Sequence, residues 1–143
     1  MPVRMELSRI LIRELSDMQI IELREVCDQE GEGAPEPRTF PIVIGLTEAQ
    51  AIERRLKGIA ITRPQTHDLL ANVIESLGAS LESITVTDLK EQTFFATLDI
   101  TREDGQRLNV DSRPSDAIAI GIAGNVPIFV AEHVLAAAAK DIL

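Results

Sequence analysis

A chain of 143 residues with 45% apolar content can bury a core of ordinary size, and its length favours one domain over residues 1 to 143. Its net charge of −9 has the wrong sign for gathering nucleic acid by bulk electrostatics, so phosphate binding has to be local, through a metal ion or a small arginine cluster. Aromatic content of 3%, with no Trp or Tyr, excludes a stacking platform for single-stranded bases and leaves Ile, Leu, Val and Ala to fill the core.

In chain order, residues 3 to 15 and 18 to 28 are β-rich with imperfect alternation, and the acidic, glycine-bearing stretch from 28 to 37 reads as an exposed hairpin loop. Phe40-Pro41-Ile42-Val43-Ile44-Gly45 reads as a short buried strand. Thr47 with Gln50 predicts a capping box opening a helix over 48 to 57, which Gly58 closes. Thr66 is the expected cap of a second helix whose Leu69, Leu70, Val73, Ile74 and Leu77 fall at core-facing spacing before Gly78. Three strands follow, the clearest placing Phe94, Ala96, Leu98 and Ile100 on one face and Thr97, Asp99 and Thr101 on the other. Asp104-Gly105 marks a hairpin turn into residues 106 to 111. After Pro114 the helix carrying Ala117, Ile118, Ile120, Gly121 and Ile122 is apolar nearly all round, which predicts burial between the sheet and another layer. A last strand, Pro127-Ile128-Phe129-Val130, leads into an Ala-rich helix over 131 to 142. Several strands precede the first helix, so the expected class is α+β: a single domain of mixed, mainly antiparallel sheet with about four helices packed on it.

Two segments carry chemistry. Asp111-Ser112-Arg113-Pro114-Ser115-Asp116 puts carboxylates, hydroxyls and a guanidinium where a strand turns into a helix, and Arg63-Pro64-Gln65-Thr66-His67-Asp68 repeats that grammar at another helix start. Brought side by side, they would make a site of Asp, Asp, Asp, His and Arg at strand-to-helix turns. Each segment alone is also explained by plain capping, since a first-turn carboxylate stabilises a helix start by about 0.3–1 kcal/mol without any function. Arg54, Arg55 and Lys57 complement the dipole at a helix C-terminus, and His133 has only Glu132 beside it; both are expected to be structural.

The chain resembles the bifunctional nuclease family, whose members degrade DNA and RNA. The resemblance runs through the Phe40 to Gly45 stretch with Glu48-Ala49, Arg63-Pro64 with Thr66-His67-Asp68-Leu69-Leu70, Leu77-Gly78-Ala79, Asp111 to Ala117 with Ile118-Ala119, and Pro127-Ile128-Phe129-Val130. Lys90-Glu91-Gln92-Thr93 departs from it, standing where a glycine turn is expected. The resemblance implies a nuclease domain and a nucleic acid substrate, DNA or RNA, and carries no catalytic residue across.

Residue chemistry supplies candidates. Phosphodiester hydrolysis needs neutralised phosphoryl oxygens, an activated water and a stabilised leaving group, which one or two divalent ions on carboxylates provide. Magnesium, or manganese, needs only one or two carboxylates, so Asp111 and Asp116 are the expected metal ligands with Asp68 as a third. His67 is the candidate group to orient or deprotonate water, so His67, Asp68, Asp111 and Asp116 form the expected catalytic set. Arg63 and Arg113, with Ser112 and Ser115, are the expected substrate clamps. The expected activity is a metal-assisted nuclease of low sequence specificity; the alternative is a non-catalytic oligomeric or small-anion-binding domain. The single cysteine, Cys27, reads as a small buried hydrophobe in a reducing cytoplasm, and nothing reads as a signal peptide or a span of ~20 apolar residues. Apolar surface on the helices at 117 to 122 and 131 to 142 predicts self-association, with a dimer ahead of a trimer.

Overall fold

The computed structural model describes residues 2–13, 15–27 and 31–140. Seven strands, β1 (Pro2–Leu11), β2 (Gln19–Glu25), β3 (Thr39–Ile44), β4 (Ser80–Lys90), β5 (Thr93–Thr101), β6 (Arg107–Ser112) and β7 (Ile128–Ala131), form one sheet in the order β3-β2-β1-β7-β4-β5-β6. Four α-helices accompany it: α1 (Leu46–Lys57), α2 (Thr66–Ser76), α3 (Pro114–Gly121) and α4 (Glu132–Lys140). Every neighbouring pair of strands is antiparallel except β4 and β7, so the sheet is mixed and the α+β expectation holds.

The sheet curls. Phe40 on the edge strand β3 stacks on Phe94 of β5, five strands away, with ring centroids 5.5 Å apart. A flat sheet at about 4.8 Å per strand could not bring them together, so the twist that strand sterics impose has folded the sheet round its apolar face. Inside lie Leu23, Phe40, Ile52, Val86, Ile118, Val130 and Leu135, all fully buried, drawn from four strands and from α1, α3 and α4. Truncating one of these to alanine costs about 2–5 kcal/mol. A smaller cluster, Ile84, Leu98, Ile100, Ala117 and Ile120, joins α3 to β4 and β5.

The helix α3 is buried at every position but Asp116, as its apolar circumference predicts. It approaches β4 so closely that a Cβ on Gly121 would lie 2.7 Å from Ile84 Cδ1 and 3.0 Å from Val126 Cβ. The surplus apolar surface expected of α3 and α4 is therefore covered within the chain, since Val134, Leu135 and Ala138 of α4 are buried as well.

Three local expectations are corrected. Gly45, not Thr47, is the N-cap of α1, and no side-chain capping bond forms there; the Thr47–Gln50 box is absent because the helix begins two residues earlier, at Leu46. Gln65, not Thr66, caps α2, with its N–H donating to the Asp68 carboxylate at 3.0 Å. The largest correction concerns the α2 face: Leu69, Leu70, Val73 and Leu77 are 43–77% exposed, and only Ala71 and Ile74 pack inward. Helical spacing selects a face but does not supply something to cover it. Where the β4–β5 hairpin lacks glycine, Glu91 and Gln92 both take positive φ, 49° and 65°, so the turn forms with two non-glycine residues in the left-handed region.

Candidate functional site

The first turns of α1, α2 and α3 meet at one place. His67, in the first turn of α2, sets Nε2 2.9 Å from Oδ1 of Asp116 in the first turn of α3. Arg113, the N-cap of α3, donates from Nε to Asp116 Oδ2 at 2.8 Å and from Nη2 to Asp116 Oδ1 at 3.1 Å. The same Nη2 reaches Glu48 Oε1, in the first turn of α1, at 3.1 Å. The two Arg-Pro segments therefore do lie side by side. Glu48, which belongs to the family resemblance but not to the expected catalytic set, completes the group; its signal in the sequence is an acid three residues after the helix-capping Gly45.

Burial pushes the Asp116 carboxyl up, but hydrogen bonds from Arg113 and then His67 outweigh it and leave the group below its ordinary range. Arg113, with its side chain 64% exposed, is correspondingly raised, chiefly by its hydrogen bonds to Asp116. Asp116 thus remains ionised between two donors at a helix N-terminus whose dipole also favours negative charge.

Beside Arg113 opens a cleft of about 580 Å³ lined by Pro41, Gly45, Phe94, Arg113, Pro114 and Ser115 among others. Ser115 is buried against it, while Ser112 is half-buried and spends its hydroxyl on the Arg113 carbonyl at 2.8 Å. Arg63 lies exposed in the segment between α1 and α2 and makes no ion pair among the described residues.

The tertiary structure separates two of the expected carboxylates from this group. Asp68 points to α1: its oxygens bind Arg54 Nη2 at 2.6 Å and Arg55 Nη1 in a close ion pair. Desolvation raises the Asp68 carboxyl, and the Gln65 N–H with the two guanidiniums more than reverses this. Arg55 also donates to the Ala119 and Ile120 carbonyls of α3, so Asp68 and Arg55 join three helices behind the site. The sequence shows Arg54 and Arg55 only as dipole partners of α1; the buried acid they share comes from another helix and is set by tertiary contact. Asp111 pairs in register with Thr97 of β5. Directly opposed residues share a face, and Thr97 alternates with Ala96 and Leu98, which pack beneath α3. Asp111 therefore stands on the far face, with Asp99 and the hydroxyls of Ser83, Thr85 and Thr97 that donate to it at 2.6–2.8 Å. Among the described residues no three His, Cys, Asp or Glu side chains gather as a metal-holding group.

The sequence matches the family model for the bifunctional nuclease domain over residues 31–142. The chain belongs to that family. Uncharacterized proteins from two Mycobacterium tuberculosis strains are 45% identical over 101 residues, covering 71% of this chain and 59% of each relative. Bifunctional nuclease 1 of Oryza sativa subsp. indica is 24% identical over 91 residues, 62% of this chain and 28% of that protein. Bifunctional nuclease 2 of Arabidopsis thaliana is 24% identical over 96 residues, covering 66% and 29%. The match thus spans less than two thirds of these relatives' length. Within the bifunctional nuclease match fall all four residues of the convergent group, Glu48, His67, Arg113 and Asp116. No helix among the described residues is long and apolar enough to cross a membrane.

Proposed function

We propose that this chain hydrolyses phosphodiester bonds in DNA and RNA at the Glu48–His67–Arg113–Asp116 group, with low sequence specificity. The observation that carries the proposal is the exposed Arg113 fork, held by two carboxylates at the meeting of three helix N-termini beside an open cleft. The oxygens of Asp116 and Glu48 sit where a planar guanidinium recognises anions, the geometry a phosphodiester would use in their place. Helix N-termini add oriented N–H groups, and a divalent ion on the two carboxylates beside Arg113 would answer the charge objection locally on an otherwise acidic protein. Phosphate contacts carry no base information, and Phe94 is already stacked on Phe40, so low specificity follows.

In this mechanism Arg113 binds and orients the phosphoryl oxygens; as the water oxygen bonds to phosphorus and the phosphorus–oxygen bond to the leaving sugar breaks, the His67 ring, oriented by Asp116 Oδ1, takes the proton the water loses and returns it to the leaving oxygen. Ser115 lines the cleft wall that positions the substrate. A divalent ion, magnesium or manganese, fits this donor set on the condition that Arg113 Nη2 releases Asp116 and Glu48, each 3.1 Å away, since these are the carboxylates that would hold it; hard oxygen ligands with retained waters suffice. Such an ion would neutralise phosphoryl charge and lower the pKa of a bound water. Asp68, engaged by two arginines, and Asp111, on the far face, are left out of that set.

The test compares purified wild type with Asp116→Asn and Glu48→Gln on single-stranded DNA and on RNA, with magnesium, manganese or chelator. Cleavage should fall at least ~100-fold in Asp116→Asn, the scale of losing a group that acts in the transition state, with folding unchanged. Cleavage equal in wild type and both variants would overturn the site. Activity that persists in chelator but vanishes in Asp116→Asn would retain the site and remove the metal. A non-catalytic role, in which the polar corner braces the meeting of the helices, is favoured by one observation, that Arg113 is already neutralised by its own carboxylates; no cleavage by any preparation, with stability lost in Asp116→Asn, would establish it.

A further inference from the structure

The hairpin where Lys90-Glu91-Gln92-Thr93 departs from the family's glycine turn reaches the candidate site. Lys90 pairs with Thr93, so Glu91 and Gln92 alone make the turn, and both hold the positive φ that glycine or asparagine adopts at least cost. Curling of the sheet carries this turn over to the edge strand β3, where Gln92 lines the cleft of about 580 Å³ beside Arg113. A glycine at 92 would suit the backbone better and would give the cleft no side chain. Strain of this kind collects at ligand clamps, where a side chain is needed in spite of its backbone. Thr87, Asp88 and Lys90 take up the hairpin's side-chain hydrogen bonds and ion pair among the described residues, and the exposed Gln92 carboxamide has none.

We infer that this cleft holds one unpaired nucleobase, with the Gln92 carboxamide on its Watson–Crick edge and the attached phosphate at Arg113; the inference rests on the nucleotide chemistry proposed above. Charge sets the direction. Arg113 and Asp17 are the two charged residues of the lining, so the phosphate belongs at the arginine and the uncharged base away from it. The walls suit a base, since Met18 and Val43 are 63% and 56% exposed and Pro41 is exposed beside them. Such aliphatic side chains pack on the flat face of an extruded base where no aromatic ring is available. The volume falls within the usual range for one small molecule, roughly 300–1,000 Å³.

The carboxamide holds a base without reading its identity. Each base presents a donor beside an acceptor on its Watson–Crick edge: N6–H and N1 in adenine, N4–H and N3 in cytosine, N1–H and O6 in guanine, N3–H and O4 in uracil and thymine. The Gln92 amide offers the complement, because its oxygen accepts and its NH2 group donates. Rotation about its last torsion exchanges the two, so all four bases are matched alike. In a duplex those groups are already engaged, and Gln92 finds no partner there. Gln92 therefore selects unpaired nucleic acid without selecting sequence.

Titration of the full chain with the four ribonucleoside 5′-monophosphates in magnesium tests the subsite, read by NMR on the Gln92 side-chain amide. All four should shift that signal and bind within about threefold of one another. Ribose 5-phosphate lacks the base, and 3-methyluridine 5′-monophosphate has its edge donor blocked; each should bind at least ~10-fold more weakly than uridine 5′-monophosphate. Gln92→Gly should lose the same ~10-fold for all four nucleotides and nothing for ribose 5-phosphate. Glycine suits this turn, so unfolding cannot produce that pattern. In cleavage, the same variant should lower kcat/KM for a single strand relative to a duplex of the same sequence by ~10-fold. Nucleotide binding indifferent to Gln92→Gly or to the methyl group, a preference above ~10-fold for one base, or no binding by any nucleotide at ~10 mM would overturn the inference. Base-dependent binding without cleavage by wild type would remove the proposed hydrolysis and keep the subsite, whereas cleavage blind to Gln92 would keep the hydrolysis and remove the subsite.

Discussion

His67 Nε2 lies 2.9 Å from Asp116 Oδ1 across 49 residues of sequence, joining the first turn of α2 to that of α3. Arg113 grips the other side of the same carboxylate. Asp116 therefore mediates between a proton-carrying ring and an anion-binding fork, and removing either neighbour should have a distinguishable effect.

Steady-state cleavage of a short single-stranded DNA should separate the two. Arg113→Lys keeps the charge and loses the fork, so KM should rise about tenfold or more, equivalent to about 1.4 kcal/mol, with the smaller change in kcat. His67→Gln should lower kcat with little change in KM. The same split in both variants, or none in either, would contradict the assigned roles.

Asp68 acts through structure instead. Its carboxylate, 14% exposed, neutralises Arg54 and Arg55, whose side chains are only 14% and 9% exposed. Asp68→Asn leaves two buried guanidiniums short of a counter-charge and should cost about 3–5 kcal/mol. Urea denaturation at neutral pH, with an unchanged m-value, would register the loss as a lower midpoint. A shift under 1 kcal/mol would show that solvent already screens the triad.

Acid should destabilise the fold through the same groups. Asp68 and Asp116 both have lowered pKa values in the folded state, so the unfolded chain binds more protons as pH falls through the ordinary carboxylate range. Their stabilisation is fully present above about pH 5 and is lost progressively as pH drops below about 4 toward the folded-state values. Wild-type stability measured from pH 7 to pH 3 should decline, and the decline should be shallower in Asp68→Asn.

The β4–β5 turn offers a gain. Glu91 and Gln92 hold φ of 49° and 65°, at about 1 kcal/mol or more apiece for non-glycine side chains. Replacing the pair by Asn-Gly suits the same backbone and should stabilise by about 1–2 kcal/mol. Thermal unfolding should show a higher midpoint, whereas a lower one would mean that the two side chains contribute contacts worth more than the strain.

Gly121 should tolerate nothing larger. Its missing Cβ leaves room for Ile84 Cδ1, 2.7 Å from where that atom would stand, and Gly121→Ala should cost about 1–3 kcal/mol. Pairing it with Ile84→Val should return part of that loss, because the shorter side chain vacates the contested space.

Local chemistry made much of the chain legible as sequence. Gly58 closes α1 in the left-handed conformation at φ 64°, Gly105 at φ 88° closes the β5–β6 turn, and strict alternation in β5 separates its buried and polar faces. The all-round apolar helix is indeed enclosed, and the two Arg-Pro segments do adjoin. These features depend on backbone preference and side-chain period, both carried by neighbouring residues. What tertiary structure alone decided is which charges meet. Asp111 and Asp116 are five residues apart and read as one cluster, yet the strand's period of two turns Asp111 to the far face while Asp116 follows α3 under it. Asp68 is adjacent to His67, yet helix geometry points it at Arg54 and Arg55 while His67 faces Asp116. The apolar stripe of α2 stays exposed because spacing specifies a face and not its cover, which depends on how far a sheet folded from distant strands extends.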